Sequence, residues 1–319
     1  MRLVSFLGSD GPAAGVIVDD DLVVPLDLDG GLDLVLAEDR WDELLAAATA
    51  AASTASGAAS SSGARKLEDL DLVPAVEFPG KIVCVGLNYG DHAREGGRAA
   101  PERPLLFAKF ANTVIGDGEP IIRPEGTHAL DLEAELGVVI ARTARRVAAA
   151  DAIGYVAGYI VVNDVSARDW QGNPQALRPG EKGDGQWLRA KGSDTFLPVG
   201  AVLATPDGLD PVAGARVRSW RIPGSGPDAG TPVLMQDAST ADLLRPVAEL
   251  IEFISRQITL EAGDIIATGT PAGVGVFRDP PVFLEPGDRV RCQVDGIGTV
   301  ENPVIDWSDA PADEDDHSH

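Results

Sequence analysis

Short apolar runs, separated by turns rich in glycine, proline and aspartate, dominate the pattern of hydrophobic and polar positions along the chain. Such runs predict β-strands, because side chains of a strand alternate between the two faces of a sheet and turn residues end the run. Helical spacing of apolar positions is clearest over residues 41–51 and 243–256, the second beginning at Leu244. Strands outnumber helices, so the pattern predicts a mainly β fold with a few helices, an α+β protein. The predicted strands span residues 3–7, 15–18, 22–26, 81–86, 105–110, 120–122, 133–140 and 159–162, with a hairpin over 216–231.

Changes in composition divide the chain into three parts. Residues 46–64 contain only Ala, Ser, Thr and Gly, which predicts the end of a helix followed by a flexible stretch. The C-terminal residues are acidic and almost free of apolar side chains, so we expect them to be disordered and solvated. The predicted parts are a small N-terminal domain (1–78), a large domain (79–306) and a disordered acidic tail (307–319, including His317 and His319).

The composition and charge of the 319-residue chain exclude several classes of protein. The chain is 44% hydrophobic, enough for a sizeable core, yet no apolar run approaches the roughly 20 residues of a membrane span. The formal charge of −24 argues against a nucleic-acid partner, because phosphates would be repelled. Cys84 and Cys292 lie in strand-like runs and are expected to be reduced core thiols, and a secretory signal is not expected. We therefore expect a cytoplasmic protein with neither a membrane nor a nucleic-acid partner.

Three acidic residues stand at positions that favour a metal site. Glu133 and Glu135 are two apart at the start of a β-branched run, so both carboxylates are expected on one face of a strand. Asp164 follows the next apolar run, where a strand gives way to a loop. Three carboxylates brought together repel one another, whereas a hard divalent ion binds them as oxygen ligands, so we expect one Mg²⁺ or Mn²⁺ ion per chain. The alternative is that Glu133 and Glu135 lie on the solvent face of an ordinary half-buried strand.

His92 and Glu95 lie three residues apart at the start of a predicted helix, with Asp91 as its expected N-cap. A carboxylate beside an imidazole raises its basicity and selects one tautomer, which predicts a general base near neutral pH. A surface histidine at a helix N-terminus is the alternative. His128, in a turn with no partner visible in the sequence, is predicted to lie on a surface loop, and a minor role beside Glu133 stays open.

Four ordered motifs resemble the fumarylacetoacetate hydrolase (FAH) superfamily, in particular its acylpyruvase and 2-hydroxyhepta-2,4-diene-1,7-dioate isomerase branch. The resemblance covers residues 81–303. It implies a mixed β-roll of the FAH C-terminal type, built around a divalent ion, with a small N-terminal α/β domain and assembly as a homodimer. The motifs are 86–95 (GLNYGDHARE), 131–136 (DLEAEL), 163–171 (NDVSARDWQ), and 190–196 (AKGSDTF) together with 268–275 (TGTPAGVG).

The resemblance also implies a role for each matching residue. The family's metal ligands match the three carboxylates described above. The glycine-rich motif at 268–275 resembles a loop that binds the substrate carboxylate, which fits the exposed N–H groups of such turns. The implied metal ligands are Glu133, Glu135 and Asp164, the implied catalytic residues are His92, Glu95 and Lys191, and the implied substrate-binding residues are Arg168, Gln171, Tyr89, Gly269 and Thr270.

The resemblance implies an enzyme that acts on a small anionic 2-oxo acid. Its main prediction is hydrolysis of a C–C bond in an acylpyruvate-, fumarylpyruvate- or fumarylacetoacetate-like 1,3-dicarbonyl, through a metal-held enolate and a water activated by His92 with Glu95, in aromatic-compound catabolism. The alternative is an oxaloacetate-like 2-oxo acid decarboxylase, or a keto–enol or 2-hydroxy-diene-dioate isomerase. The intact pair favours hydrolysis, because decarboxylation needs no activated water. A catalytically silent scaffold is the third hypothesis, and it requires this pair or Lys191 to be out of register.

The segment 173–182 departs from the family pattern, because it lengthens the connection between Gln171 and Lys191. It predicts either a lid that carries Arg178 and Lys182 or a tolerated surface insertion. A lid at this place would limit the size of the substrate.

Overall fold

A computed structural model describes residues 1–19, 21–55 and 63–311 of the chain. Strands dominate it, which confirms the predicted α+β class. The strands are β1 (Arg2–Gly8), β2 (Gly11–Val18), β3 (Leu22–Pro25), β4 (Arg65–Lys66), β5 (Ile82–Gly86), β6 (Leu105–Lys109), β7 (Val114–Ile115), β8 (Ile121–Arg123), β9 (Leu130–Asp131), β10 (Ala134–Ile140), β11 (Val156–Asn163), β12 (Ser166–Ala167), β13 (Leu197–Pro198), β14 (Val202–Ala204), β15 (Arg216–Ile222), β16 (Val233–Ser239), β17 (Ile265–Ala267), β18 (Arg289–Val294) and β19 (Gly298–Asp306). The α-helices are α1 (Leu32–Ala37), α2 (Trp41–Ala55), α3 (Gly90–Glu95), α4 (Arg168–Gln171), α5 (Trp187–Gly192) and α6 (Val247–Ser255). Short 3₁₀ turns span Leu67–Asp69, Ala111–Thr113, Ala149–Tyr155, Pro174–Ala176, Thr240–Asp242, Gly275–Phe277 and Trp307–Asp309.

The larger sheet contains ten of the described strands, in the order β4-β3-β2-β1-β14-β11-β10-β17-β5-β6. Its first four strands come from the N-terminal segment, and β1 pairs antiparallel with β14, with Arg2 opposite Ala204. Inside the sheet, β10 is antiparallel to both β11 and β17, and β5 runs parallel to β17. The N-terminal segment thus extends the sheet of the large domain, and its Val4 and Phe6 join a core with residues of that domain.

A second sheet of five described strands, in the order β16-β15-β18-β19-β8, shares a core with β10. Leu136 and Val138 of β10 pack in this core with Val217 of β15. The opposite face of β10, through Val139, belongs to a core that includes buried residues of α1 and α2. Because both faces of β10 are buried, its sequence is almost entirely apolar, and Glu135 is the exception. A charged residue in such a strand needs partners, and these lie in the site described below.

Two helices differ from their predicted extents. Helix α2 continues to Ala55, because alanine has the highest helix propensity and an alanine-rich composition favours a helix there. Helix α6 begins at Val247, since Pro246 lacks an N–H donor and disfavours helical torsions in the residue before it. Leu244, predicted as the first apolar position of this helix, therefore lies outside it and is exposed.

Helix α3 begins at Gly90, two residues earlier than an N-cap at Asp91 would give. Tyr89 is the N-cap, and the prediction that Asp91 has this role is wrong. Asp91 lies in the first turn, where its Oδ1 accepts a hydrogen bond from the N–H of His92 at 2.7 Å. A carboxylate in the first turn also interacts favourably with the helix dipole, so aspartate suits either position.

The structure also bears on the predictions for the cysteines, for membrane spans and for the C-terminal tail. Cys84 and Cys292 are buried free thiols, as predicted. No helix in the described part of the chain is long and apolar enough to cross a membrane. Trp307–Asp309 form a 3₁₀ turn at the start of the predicted tail. Residues 312–319, with His317 and His319, and residues 56–62 of the low-complexity stretch lie outside the described residues.

Candidate active site

Antiparallel pairing of β10 with β11 brings the three predicted metal ligands together. Glu135 lies opposite Val162, so the start of β10 lies beside the end of β11, and the N–H of Asp164 donates to the carbonyl oxygen of Glu133 at 2.9 Å. Glu133, Glu135 and Asp164, which we call the carboxylate cluster, each offer an oxygen within 4.8 Å of the others. All three are buried, so the alternative of two glutamates on a solvent face is wrong.

Two predicted cations lie against the carboxylate cluster. Lys191 Nζ donates to Glu133 Oε2 at 2.7 Å and to Asp164 Oδ2 at 2.8 Å. Arg168 Nη2 lies 2.7 Å from Glu133 Oε1, and its Nε donates to Asp131 Oδ2 at 2.9 Å. Lys191 and Arg168 are themselves buried. These ion pairs compensate most of the negative charge of Glu133 and Asp164. Without them, burial of the two carboxylates would lower the stability of the folded protein.

Burial and neighbouring charges set the pKa values of the cluster in opposite directions. Burial favours a higher pKa for Glu133, but Lys191 and Arg168 outweigh it and hold that pKa well below its usual value. Burial raises the pKa of Glu135 well above its usual value, and the charges of Asp164 and Glu133 add to this effect. For Lys191, burial favours a lower pKa, but Asp164 and Glu133 outweigh it, and the pKa is raised. Glu135 is thus the member of the cluster whose negative charge is least compensated.

The carboxylate cluster fits a divalent cation. Asp164 Oδ1 is buried and makes no hydrogen bond, although Lys109 Nζ forms an ion-pair contact with it at 2.8 Å. Burial, together with the charges of Asp164 and Glu133, raises the pKa of Glu135, and a bound cation would oppose this rise. Carboxylate oxygens are hard ligands of the kind that Mg²⁺ and Mn²⁺ bind. The cluster is therefore a candidate site for a divalent ion.

His92 and Glu95 form an oriented pair on α3. His92 Nδ1 and Glu95 Oε1 lie 2.7 Å apart, and since an ionised carboxylate can only accept, Nδ1 carries the proton and Nε2 is left to exchange protons. Glu95 is held from its other side by the N–H of Gly273, which donates to Oε2 at 2.9 Å. His92 is buried, and its ring centroid lies 6.0 Å from that of Phe277. The alternative of a surface histidine is therefore wrong.

Three N–H groups of the glycine-rich loop at 268–275, and that of Val276 just after it, donate to carboxylates of the protein. Gly269 N donates to Glu135 Oε2 at 2.7 Å, and its φ of 105° lies in the region that favours glycine. An N–H bonded in this way is not free to bind a substrate carboxylate. Thr270 is the loop residue that lines the pocket described next, so it remains the candidate for contact with substrate. The other loop donors are Gly273 to Glu95, and Gly275 and Val276 to Asp131.

One cavity of about 300 Å³ brings most of the predicted site residues to the same space. This volume is at the lower end of those that hold small ligands. Asp164 and Tyr89 are fully buried and, like Glu95 and Gly269, do not line it. Phe107, Trp187 and Phe277 contribute apolar surface to the cavity. The predicted residues that line it are His92, Glu133, Glu135, Arg168, Gln171, Lys191 and Thr270.

Lys109, at the end of β6, was not predicted as a site residue. Its ammonium contacts Asp164 and donates to the carbonyl oxygens of Val165, Lys191 and Phe196 at 3.1, 2.5 and 2.7 Å. Burial lowers its pKa, and the charge of Asp164 opposes this effect only in part. A lysine inside an apolar run was the available signal, because lysine is seldom buried without a partner. Lys109 holds one oxygen of Asp164 and the backbone next to Lys191.

Asp131 and Arg98 were also missed as site residues. Asp131 accepts from Arg168 Nε, a residue 37 positions away, so no local spacing rule connects them. It orients the guanidinium that contacts Glu133. Arg98 follows α3, is exposed and lines the cavity. A single arginine in a loop of glycine and alanine carries no pattern that indicates a site.

The insertion at 173–182 forms part of the cavity wall. Asn173, Pro174 and Gln175 line the cavity, and Asn173 Oδ1 caps their 3₁₀ turn by accepting from Gln175 N at 3.1 Å. Arg178 and Lys182, the basic residues of the predicted lid, are exposed and do not line it. The insertion is therefore more than a surface loop, but its neutral residues are the ones that face the cavity.

His128 connects this insertion to the body of the protein through partners that are not visible in the sequence. Its side chain is half-buried, and Nδ1 lies 3.2 Å from Asp169 Oδ2. Its Nε2 lies 3.0 Å from the carbonyl oxygen of Ala176, in the 3₁₀ turn of the insertion. The histidine thus helps to position a wall of the cavity.

Comparisons with known proteins identify relatives of this chain in sequence and in fold. Residues 81–305, more than half of the chain, match the fumarylacetoacetate (FAA) hydrolase C-terminal family. Over 309 residues, the chain is 37% identical to "Oxaloacetate tautomerase fahd2, mitochondrial" of Xenopus laevis, covering 96% of this chain and 90% of that protein. It is 31% identical to the solved 2-hydroxyhepta-2,4-diene-1,7-dioate isomerase of Mycobacterium marinum, with a TM-score of 0.69 over 96% of this chain and 99% of that one. A fumarylacetoacetate hydrolase from Exiguobacterium antarcticum is also 31% identical, with a TM-score of 0.74 and the same coverage.

Proposed function

The chain belongs to the fumarylacetoacetate hydrolase family, and we propose that it is a divalent-metal-dependent isomerase that interconverts the keto and enol forms of a short 2-oxo acid of the oxaloacetate class. The observation that carries this proposal is that the oriented His92 lines the same cavity as Glu133 and Glu135 of the carboxylate cluster. A proton acceptor thus lies beside the candidate metal site.

The names of similar proteins support proton transfer over the main prediction of C–C hydrolysis. The Xenopus relative, similar over nearly its whole length, is named a tautomerase, and the Mycobacterium marinum structure is named an isomerase. Both names describe reactions that move a proton. The Exiguobacterium structure is named a hydrolase, so hydrolysis is the reaction against which the proposal is tested.

The roles of the residues follow from their contacts. An ion held by Glu133, Glu135 and Asp164 would supply the Lewis acidity that makes the carbon next to a 2-oxo group easier to deprotonate. His92 accepts the proton from that carbon at Nε2, and Glu95 stabilises the resulting imidazolium through its contact with Nδ1. Return of the proton to the carbonyl oxygen gives the enol, and return to carbon gives the keto form. No water takes part in this exchange.

Lys191 and Gln171 position the substrate oxygens in this proposal. Lys191 lines the cavity and donates to Glu133 Oε2 at 2.7 Å and to Asp164 Oδ2 at 2.8 Å, which holds its ammonium group in place. It therefore acts as a fixed positive charge rather than as the base. Gln171 Oε1 accepts from Arg168 Nη1 at 3.2 Å, which leaves the amide group of Gln171 to donate to a substrate oxygen. The base is thus His92, and the other residues bind and orient.

The test follows the ultraviolet absorbance of the enol of oxaloacetate as it approaches equilibrium with the keto form. We expect the purified protein with Mg²⁺ or Mn²⁺ to accelerate this approach, and the metal-stripped protein not to. Acetylpyruvate cleavage to pyruvate and acetate, and CO₂ release from oxaloacetate, are measured on the same preparations. Cleavage of acetylpyruvate without enol–keto exchange would instead establish the hydrolase, and CO₂ release alone would establish the decarboxylase.

The cellular location and the oligomeric state of the protein are separate from its proposed reaction. The Xenopus relative is named mitochondrial, so the expected cytoplasmic location is not carried into the proposed function. The expected homodimer stays a prediction, and light scattering on the purified protein measures it directly.

A further inference from the structure

The cations that line the cavity differ in what they already bind. Arg168 and Lys191 are buried, and each is in contact with carboxylates of the protein. Arg98 also lines the cavity but is exposed. Within the described residues, its guanidinium has no ion pair or hydrogen bond to another side chain or to a carbonyl group. Among the arginine and lysine residues in the described lining, Arg98 is therefore the one whose charge is free for a ligand.

The backbone holds Arg98 close to the helix that carries His92. Its N–H donates to the carbonyl oxygen of Ala93 at 2.8 Å, which makes Arg98 part of the C-terminal turn of α3. Gly97, just before it, has a φ of 65°, a conformation that favours glycine and turns the chain back over the helix end. Arg245 Nη2 donates to the carbonyl oxygen of Glu102 at 3.1 Å and so anchors the far end of this loop. The guanidinium is exposed, but these contacts fix the position of the Arg98 backbone.

We propose that Arg98 binds the second carboxylate of a dicarboxylic 2-oxo acid and selects such substrates over monocarboxylic ones. This inference rests on the proposed function, because it assigns the far end of the same substrate. The 2-oxo end belongs beside the carboxylate cluster, so a second carboxylate on a short chain lies elsewhere in the cavity. The protein has a formal charge of −24, which repels a dianion unless a local cation binds it. A guanidinium suits this task because its planar fork can donate two hydrogen bonds to one carboxylate.

The insertion supplies polar groups to the cavity but no charge. Asn173 and Gln175 line it, and their amides can donate hydrogen bonds to an oxygen of any charge state. They therefore help to bind a polar substrate without distinguishing a carboxylate from an ester or a hydroxyl group. The discrimination between dianion and monoanion falls to Arg98.

Binding of two unreactive 2-hydroxy acids tests the inference without turnover. Malate and lactate share the end that carries the hydroxyl and the first carboxylate, and only malate has a second carboxylate. Titration calorimetry with Mg²⁺ present compares both acids on the wild-type protein, Arg98→Gln, Arg98→Lys and Arg103→Gln. Arg103 is a matched control, since it is exposed on the same loop and does not line the cavity.

We expect wild-type protein to bind malate more tightly than lactate, and Arg98→Gln to lose about 10-fold in malate affinity with less than about 2-fold change for lactate. Arg98→Lys keeps part of the preference, and Arg103→Gln keeps all of it. Equal loss for both acids would show a structural role of the loop and overturn the inference. Undetectable malate binding by the wild-type protein, or an unchanged preference in Arg98→Gln, would overturn it as well.

A turnover experiment separates this inference from the proposed function. Enol–keto exchange is compared for oxaloacetate and its 4-monoethyl ester, which lacks the second charge. We expect Arg98→Gln to raise KM for oxaloacetate about 10-fold and to leave the ester within about 2-fold. If the wild-type protein exchanges neither compound but prefers malate through Arg98, the proposed function fails and the carboxylate site stands. If exchange occurs and Arg98→Gln affects both compounds equally, the carboxylate site fails and the proposed function stands.

Discussion

Two regions of the cavity are built in different ways. The carboxylate cluster lies at the ends of paired strands, fully enclosed, and its oxygens contact Lys191, Arg168 and Lys109. The second region, which we call the pocket rim, consists of the loop 96–104 and the segment 172–186. Its cavity-lining residues sit on turns, are partly or fully exposed, and include Arg98 with no partner among the described residues.

The difference indicates that the two regions have different functions. Ligands of a metal ion need fixed positions, which paired strands and buried ion pairs provide. Recognition of the rest of a substrate tolerates loops, and loops are where related proteins of one fold vary in specificity. We therefore expect changes in the carboxylate cluster to abolish the reaction and changes in the pocket rim to alter substrate preference.

Removal of one charge from the carboxylate cluster is expected to have the largest effect. Asp164→Asn should lower kcat/KM for enol–keto exchange by about 10³-fold or more, because the ion would lose an anionic ligand. Calorimetric titration with Mn²⁺ should show the matching loss of affinity. Glu285→Gln, which removes an exposed carboxylate paired with Arg123 at 2.7 Å, is the control and should change neither. An Asp164→Asn protein that binds Mn²⁺ as tightly as the wild type would remove this carboxylate from the metal site.

Replacement of His92 should lower the reaction rate without changing the affinity for the metal ion. His92→Ala is expected to lower kcat by about 10²- to 10³-fold, the usual contribution of a positioned general base. Mn²⁺ affinity should stay within about 3-fold, because the ring is not part of the carboxylate cluster. Glu95→Gln should cost less, since that residue orients the base. Parallel loss of Mn²⁺ binding in His92→Ala would contradict the separation of base and metal site.

Without a bound metal ion, the carboxylate cluster should lower the free energy of unfolding. Burial and neighbouring carboxylates raise the folded-state pKa of Glu135, so its ionisation opposes folding increasingly as pH rises above the unfolded value of 4.5. Glu135→Gln removes this cost, and we expect the metal-free variant to be more stable than wild type at pH 7.5 by about 1–3 kcal/mol.

Urea unfolding in EDTA at several pH values measures this difference. The gap between Glu135→Gln and the wild type should shrink as pH falls towards 4.5 and vanish below it, where the carboxyl becomes protonated in the unfolded chain as well as in the folded one. With Mn²⁺ added, the order should reverse, since only the wild type gains binding energy from the complete cluster. A variant less stable than wild type at pH 7.5 in EDTA would show that the Glu135 charge is already compensated.

A neutral residue of the pocket rim should have the smallest effect. Gln175→Ala is expected to raise KM for oxaloacetate by about 2- to 5-fold with kcat unchanged, because it removes a single neutral hydrogen bond at an exposed position. Arg178→Ala, in the same insertion but outside the cavity lining, should change neither constant. A fall in kcat as large as that of His92→Ala would mean that the insertion takes part in the chemistry.

Much of the candidate site follows from local sequence. The two-residue spacing of Glu133 and Glu135 predicts carboxylates on one side of an extended chain. Strand β10 begins between them, at Ala134, and the structure brings their oxygens together with one of Asp164. The three-residue spacing of His92 and Glu95 on α3 gives a contact of 2.7 Å. These relations depend on backbone torsions that repeat from residue to residue, so a sequence pattern is enough to predict them.

Several residues that support the site through partners distant in the chain are not indicated by any local pattern. Lys109 meets the carbonyl of Phe196, 87 positions away, and Asp131 of β9 meets Arg168 of α4, 37 positions away. His128 was assigned to a surface loop because its contact with Ala176 depends on how the insertion folds back. The apolar pattern alone places the start of helix α6 too early, because it does not contain the effect of Pro246 on the backbone.

The sequence by itself determined the mainly β class, the shared face of two glutamates and the pairing of His92 with Glu95, since each depends on the repeating geometry of one segment. Only the tertiary structure decided that Lys109 and Arg168 compensate the carboxylates, that Asp131 orients Arg168, and that the Arg98 guanidinium is left without a partner among the described residues. Those outcomes depend on strand register and on burial. Burial removes water from a charged side chain, so the few groups that remain next to it determine its pKa and its ion-pair partner.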